Sequence, residues 1–193
     1  FFSAKGGCIE CHFLDVQPVA GVNQDFSLAA FSLWDHNIRI WDVVAQQDKR
    51  LLKGHDDVIH SVRFDVDGKR LLSASRDFTA RIWSLEDSEA APLVFRKHTG
   101  SVNDAAFLPL QEKIITGSDD GKAIIWDIAN QKPVLTMEHN RPILKVEINS
   151  ASTRVLTWAD DATAILWDTV QGKNLATLKS SGAEVLVVHF SPD

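Results

Sequence analysis

The chain has 193 residues, 45% hydrophobic and 24% charged, which is the composition of a globular domain and excludes a disordered or fibrous segment. Its 20 basic and 26 acidic side chains leave a net charge of −6, so a phosphate backbone is repelled and nucleic acid is not an expected partner. No apolar run reaches the roughly 18 residues of a membrane-spanning helix, so no membrane association is expected. Two cysteines cannot form a disulfide framework.

The chain opens at Phe1, and its one methionine is Met137, so it reads as a segment of a longer protein whose N-terminus and any signal peptide lie elsewhere. A first strand is expected over residues 8–13, then a long connection over 14–24, then strands leading to Trp41-Asp42. Residues 58–64 are rich in strand formers and end at the turn Asp65-Val66-Asp67-Gly68. Residues 70–75 follow, then a turn at Arg76-Asp77, then residues 79–83 and, past a polar loop, residues 92–95. Short strands joined by tight turns favour antiparallel pairing, since a parallel crossover needs about a dozen residues or more. The same order recurs after His98 and after His139.

The recurrence is a repeat. Trp41, Trp83, Trp126 and Trp167 stand 42, 43 and 41 residues apart. His55, His98 and His139 each lie 28 residues before their Trp. Asp35, Asp77, Asp120 and Asp161 lie 6 before it, and Ser73, Thr116 and Thr157 lie 10 before it. A period near 40 residues marks a repeat architecture.

Gly54-His55, Val62-Arg63-Phe64, Asp67-Gly68, residues 72–77 and Ile82-Trp83 together resemble a WD40 repeat. Residues 98–127 and 139–168 do so as well, and residues 188–193 resemble the start of another. The resemblance implies an all-β fold, a β-propeller of four-stranded antiparallel blades. The blades are expected near residues 1–53, 54–96, 97–137 and 138–178, with part of a fifth over 179–193. That is an incomplete ring. Its open edges, among them a strand near Val185-Leu186-Val187-Val188, leave backbone groups unpaired. Further blades of the parent chain, or a second copy, are therefore expected to close it.

The resemblance also implies a hydrogen-bonded network in each blade. The sets are His55, Ser73, Asp77 and Trp83; His98, Thr116, Asp120 and Trp126; and His139, Thr157, Asp161 and Trp167. An indole N–H only donates, a hydroxyl accepts and passes a proton on to His, and the second ring nitrogen donates to Asp. Loss of any of the three Asp is expected to cost about 1–3 kcal/mol. Ser, His and Asp also suggest a catalytic triad. A triad occurs once, on an exposed nucleophile with an oxyanion hole, whereas this trio recurs at fixed register beside a Trp. No enzyme is expected.

The first blade departs from the pattern. It keeps Asp35 and Trp41, but Phe31 fills the hydroxyl position and Ala4 the His position, and nine extra residues over 14–24 are expected to form a loop on the bottom face. Trp158 stands where the two preceding blades have Ala74 and Gly117, and is expected to fill a gap between blades.

Cys8-Ile9-Glu10-Cys11-His12 matches the attachment pattern of a c-type haem, which would make the chain an electron carrier. The repeat offers another account. Cys8, Cys11 and Phe13 fall at the offsets of Ile59, Val62 and Phe64, and buried cysteine behaves as a small hydrophobe. The expectation is core packing, with no cofactor and no metal.

The function implied is a non-catalytic scaffold that binds protein or peptide partners. The alternatives are the haem protein and a sensor segment of a larger signalling protein. In the family the top face carries positions one, three and five after the His. Here these are Asp56, Val58 and His60; Thr99, Ser101 and Asn103; and Asn140, Pro142 and Leu144. The residue before each network Asp joins them: Trp34, Arg76, Asp119 and Asp160. Trp and Arg are the types most enriched at binding hot spots, so Trp34 and Arg76 are the expected anchors. A cytoplasmic location is expected.

Overall fold

The computed structural model describes residues 19–179 and Phe190. The described residues form four antiparallel sheets of four strands each, in simple up-and-down order. Blade 1 holds β1 (Ala20–Val22), β2 (Leu28–Ser32), β3 (Ile38–Asp42) and β4 (Gln47–Leu52). Blade 2 holds β5 (Ile59–Phe64), β6 (Arg70–Ser75), β7 (Thr79–Ser84) and β8 (Leu93–Arg96). Blade 3 holds β9 (Val102–Leu108), β10 (Lys113–Ser118), β11 (Lys122–Asp127) and β12 (Lys132–Glu138). Blade 4 holds β13 (Ile143–Ile148), β14 (Arg154–Ala159), β15 (Thr163–Asp168) and β16 (Asn174–Lys179). No described helix is long and apolar enough to cross a membrane.

Burial follows the blade from inside to outside. The second strands β6, β10 and β14 are buried on both faces over almost their whole length and read as continuous small and apolar runs. The outer strands β12 and β16 are mostly exposed. Turn side chains fix the connections. The Asp65 carboxylate accepts from the N–H groups of Lys69 and Arg70 at 2.9 and 3.0 Å, and Asn149 does the same for Thr153 and Arg154 at 2.9 and 2.8 Å. At the top lie the loop entering each inner strand and the turn between the second and third strands. The other two turns of each blade lie at the bottom.

Blades pack through their inner strands: β5 on β1 and β2, β9 on β5 to β7, and β13 on β9 to β11. Each seam is an apolar core. Ile38, Ile40, Ile59 and Val62 fill the first, and Ile82, Phe95, Val102 and Trp126 the second. Ile115, Met137, Ile143 and Val146 fill the third. The third is closest at Gly117, where an added Cβ would lie 2.7 Å from both Ile143 and Val146. The fourth blade does not return onto the first, and the ring is open among the described residues.

Blade 1 corrects the sequence reading. Its inner strand is Ala20–Val22, pairing Ala20 with Phe31 and Val22 with Ala29. Val22 therefore takes the place of Phe64, and the turn to β2 is as short as its counterpart in blade 2. The expected nine-residue insertion over 14–24 does not separate the first two strands. The expectation failed because Phe13, the nearest aromatic, was matched to Phe64, whereas a β-branched Val fills that place. The reading of Cys8 and Cys11 as core residues of the strand beside β2 falls with it. Cys8, Cys11, His12 and the strand near Val185 lie outside the described residues. Trp158 is buried with Leu156 and Ala164, and Leu166 and Phe190 pack against that group.

Candidate functional site

Blades 2 and 3 assemble the hydrogen-bonded network in full. Trp83 Nε1 donates to Ser73 Oγ at 2.9 Å, and that hydroxyl lies 2.7 Å from His55 Nε2. His55 Nδ1 lies 2.7 Å from the Asp77 carboxylate. In blade 3, Trp126 meets Thr116 at 2.9 Å, Thr116 meets His98 at 2.7 Å and His98 meets Asp120 at 2.9 Å. Burial pushes the His55 imidazole below its usual range, so the ring is neutral and Nδ1–H is the donor to Asp77. Burial alone would raise both carboxyls. Hydrogen bonds, led by those from His55 and His98, outweigh it and hold Asp77 well below the carboxylate range and Asp120 at about 2.

Blade 4 assembles only half of the network. Trp167 Nε1 donates to Thr157 at 2.8 Å, but neither ring nitrogen of the buried His139 has a hydrogen-bond partner. Asp161 instead receives the Thr163 hydroxyl and N–H. The cause lies two residues before the Asp. Ser75 Oγ bonds the carbonyls of Asp57 and Val58 at 3.1 and 2.9 Å, and it accepts the Asp77 N–H at 3.1 Å. Ser118 likewise bonds the Gly100 carbonyl at 3.1 Å and accepts the Asp120 N–H at 3.1 Å. These hydroxyls pin the top loop over its blade, so that the N–H groups of Asp56 and Thr99 also reach the network carboxylates. Blade 4 has Ala159 at that position. Its loop differs in holding Asn140 at φ 62°, and Arg141 pairs with Asp160 at 3.1 Å.

Above these supports lies the top face. In each inner strand of blades 2 to 4 the register slips by one residue against the second strand. The residue left out of the pairing is His60, Asn103 or Leu144. A bulge of this kind bends the strand and re-aims a side chain. Asn103 Nδ2 donates to the Ile143 carbonyl at 2.9 Å and to Asp119, tying blade 3 to blade 4. His60 is half-buried, which lowers its imidazole below the usual range, and the charges of Asp119, Arg76, Asp57 and Lys145 surround it. Trp34 is 65% exposed, and Arg76 is exposed with its guanidinium 3.8 Å from Asp57. Asp56, Thr99, Asp119, Asn140, Leu144 and Asp160 are also exposed, and Val58 and Pro142 half-exposed. Ser101 is not available at the surface. It is buried, and its hydroxyl donates to Asn103.

Two features here escaped the sequence reading. Phe78, next to Asp77, sits at φ 68° where blade 3 has Gly121 at φ 76°, and it is 46% exposed. A bulky side chain in the left-handed region costs strain, and such strain gathers at functional positions. Its signal was a non-glycine residue after the network Asp. Asp104 is fully buried in β9 and ties three blades. Its carboxylate accepts from Ser61 Oγ at 2.7 Å and Arg63 at 2.8 Å in blade 2. It also accepts from the Val146 N–H at 3.2 Å in blade 4. No periodic signal marks it, because Ser61 and Lys145 occupy its place in the neighbouring strands.

Comparison with known proteins agrees with this architecture. The family model described as "WD domain, G-beta repeat" matches residues 46–84 and 92–127. The first match runs from β4 of one blade through β5 to β7 of the next, so the sequence repeat is offset from the blade by one strand. WD repeat-containing protein 37 of Xenopus tropicalis is 27% identical over 123 residues, which is 63% of this chain and 25% of that protein. Serine-threonine kinase receptor-associated protein of Homo sapiens is 28% identical over 128 residues, 66% of this chain and 36% of that protein. The aligned part thus spans about a quarter to a third of these relatives' length.

Proposed function

From a chain built of WD40 repeats, we propose a non-catalytic scaffold that holds protein or peptide partners on its top face, with Trp34 and Arg76 as anchors. The carrying observation is the aligned set of bulges at His60, Asn103 and Leu144 beside an exposed Trp34. A folded sheet has no need to repeat a break in register at one level. Three such breaks aim three side chains toward one rim. The hydroxyl, His and Asp of blades 2 and 3 hold one another and an indole, which is a support and not a nucleophile with its base. A relative whose name states association with a receptor kinase fits the same role. Closure of the ring by further blades or by a second copy belongs to this proposal, as does the absence of nucleic-acid and membrane partners.

The test is capture of a binding partner by the full chain, followed by affinity measurement with Trp34→Ala and Arg76→Ala proteins. Losses above about 1 kcal/mol are expected for each. Losses below about 0.5 kcal/mol for both would remove the site from the top face.

A further inference from the structure

The bottom face carries a feature that the fold does not require. The turn between the first two strands of blade 1 holds Phe26 at φ 59°, and the same place in blade 2 is Gly68 at φ 68°. That place favours glycine and is filled in blade 4 by the small Ser152 at φ 56°, yet here it holds an aromatic ring, and the ring is 68% exposed. It gains neither burial nor local fit. The next two turns repeat the apolar theme, with Val66 57% and Leu110 72% exposed.

These turns stand in a fixed row. Gly68 abuts Asn23 so closely that an added Cβ would lie 3.1 Å from Nδ2. Arg70 links blade 2 to blade 3 through Glu112 at 2.8 Å, and the Leu110 N–H reaches Ser152 Oγ of blade 4 at 3.3 Å. Two grooves run between them. One, of about 200 Å³, is lined by residues that include Gln24, Asp25, Val66 and Asp67. The other, of about 380 Å³, shares Val66 and Asp67 and continues to Phe107 and Leu110.

Charge decides the occupant. Lys69 pairs with Glu86 at 2.9 Å, and Arg70 pairs with both Asp65 and Glu112 at 2.8 Å. The cations of the row are thus spent on internal partners, and Asp25 and Asp67 make no ion pair among the described residues. An anionic lipid surface or a nucleic acid would be repelled, and a second copy would bring the same unpaired aspartates of this row rather than free cations. We propose that this row is a second docking site, which takes a peptide segment bearing both apolar and cationic side chains. Apolar side chains seat on Phe26, Val66 and Leu110, and cations face Asp25 and Asp67. The site is on the face opposite Trp34 and stands independently of the top-face proposal.

The test uses the full chain and a short synthetic peptide alternating leucine and arginine, with photo-reactive leucine at its centre. Its counterpart carries glutamate for arginine. Cross-links are expected at Phe26, Val66 or Leu110, the counterpart is expected not to bind, and Asp25→Asn with Asp67→Asn is expected to weaken binding about tenfold. Phe26→Gly is the decisive variant. It relieves the turn, so its thermal midpoint is expected to hold or rise while binding falls about tenfold, an outcome that misfolding cannot imitate. Unchanged affinity in both variants overturns the site. Cross-links confined to Trp34 and Arg76 overturn it too, while supporting the top face. Equal binding of the glutamate peptide overturns the charge argument and with it the proposed partner.

Discussion

Ser61 Oγ of one blade donates to the Asp104 carboxylate of the next at 2.7 Å, across a seam with an apolar core. Arg63 adds a charged donor from the same side and Val146 an N–H from the other. Removing this acceptor leaves the buried Ser61 hydroxyl and Val146 N–H unpaired, while Arg63, 40% exposed, turns to water. Asp104→Ala is expected to cost about 2–4 kcal/mol, and Asp104→Asn, which keeps one oxygen, less. Denaturant unfolding measures both. A loss below about 1 kcal/mol for Asp104→Ala would show that the three blades do not lean on this group.

The three network aspartates are expected to differ. Asp77→Ala and Asp120→Ala each remove the acceptor of a buried imidazole and should cost about 1–3 kcal/mol. Asp161→Ala removes only the acceptor of Thr163, because His139 is already unpartnered among the described residues, and should cost less than either. Equal midpoints for all three variants would contradict the difference between blades.

Ala159→Ser restores the hydroxyl that pins the top loop in blades 2 and 3. It is expected to stabilise by about 1 kcal/mol and to bring the His139 ring against Asp161. The imidazole titration followed by NMR reads the second effect directly, since a carboxylate partner raises the ring's pKa. An unmoved titration would mean that Ala159 is not the cause of the broken network.

Acid should weaken the fold in two stages. Burial depresses the imidazoles of His55 and His139 below the ordinary 6.5. The unfolded chain then binds protons first, so this stability is complete above pH 6.5 and is lost as pH falls through the folded values. Asp120, lowered from 3.8 to about 2, contributes stability present above pH 3.8 and lost as pH falls toward 2, and Asp77 acts in the same sense. Thermal midpoints measured from pH 7 downward should fall in both windows. His139→Gln should shrink the upper stage alone. A flat profile between pH 7 and 5 would reject the buried neutral imidazoles.

Gly54 sits at φ 154°, a backbone region that strains any other residue, and Arg81 crowds it further. A Cβ there would lie 2.5 Å from Arg81 Nη1 and 3.3 Å from the Trp83 ring. Blades 3 and 4 have Ile124 and Ile165 in place of Arg81, and they carry Lys97 and Glu138 in place of the glycine. Gly54→Ala is expected to cost about 1–2 kcal/mol, less in an Arg81→Ile background, with a coupling of about 0.5 kcal/mol or more in a double-mutant cycle. Strict additivity would separate the two residues.

The repeat made most of the fold legible, because Trp, Asp and hydroxyl positions kept the register of blades 2 to 4 and placed their strands within a residue or two. It failed where that register thins. Blade 1 lacks both the hydroxyl and an aromatic at Val22, so its inner strand was placed at residues 8–13 and not at Ala20–Val22. The network sets were legible as residue types, but the detachment of His139 was not, since it depends on a hydroxyl absent from Ala159. Bulges at His60, Asn103 and Leu144 concern which backbone groups pair, and side-chain periodicity is silent on that. Asp104 was missed for a different reason. Its partners come from two other blades, and no local pattern encodes a bond across a seam.

The close approach at Gly117 has a consequence for the order in which near-identical units stack. At one level of the second strand the four blades carry Ser32, Ala74, Gly117 and Trp158. Between the second and third seams the side chains of the following blade change in the opposite sense. Val102 and Ala105 share a core with Ala74, whereas the bulkier Ile143 and Val146 close on Gly117. Blade 4 docked on blade 2 would press its larger pair against a methyl group, and blade 3 docked on itself would leave a void. A tandem repeat invites such misdocked arrangements, since each unit offers nearly the same sheet. Here the exchange of Ala74 for Gly117 sets the second seam apart from the third.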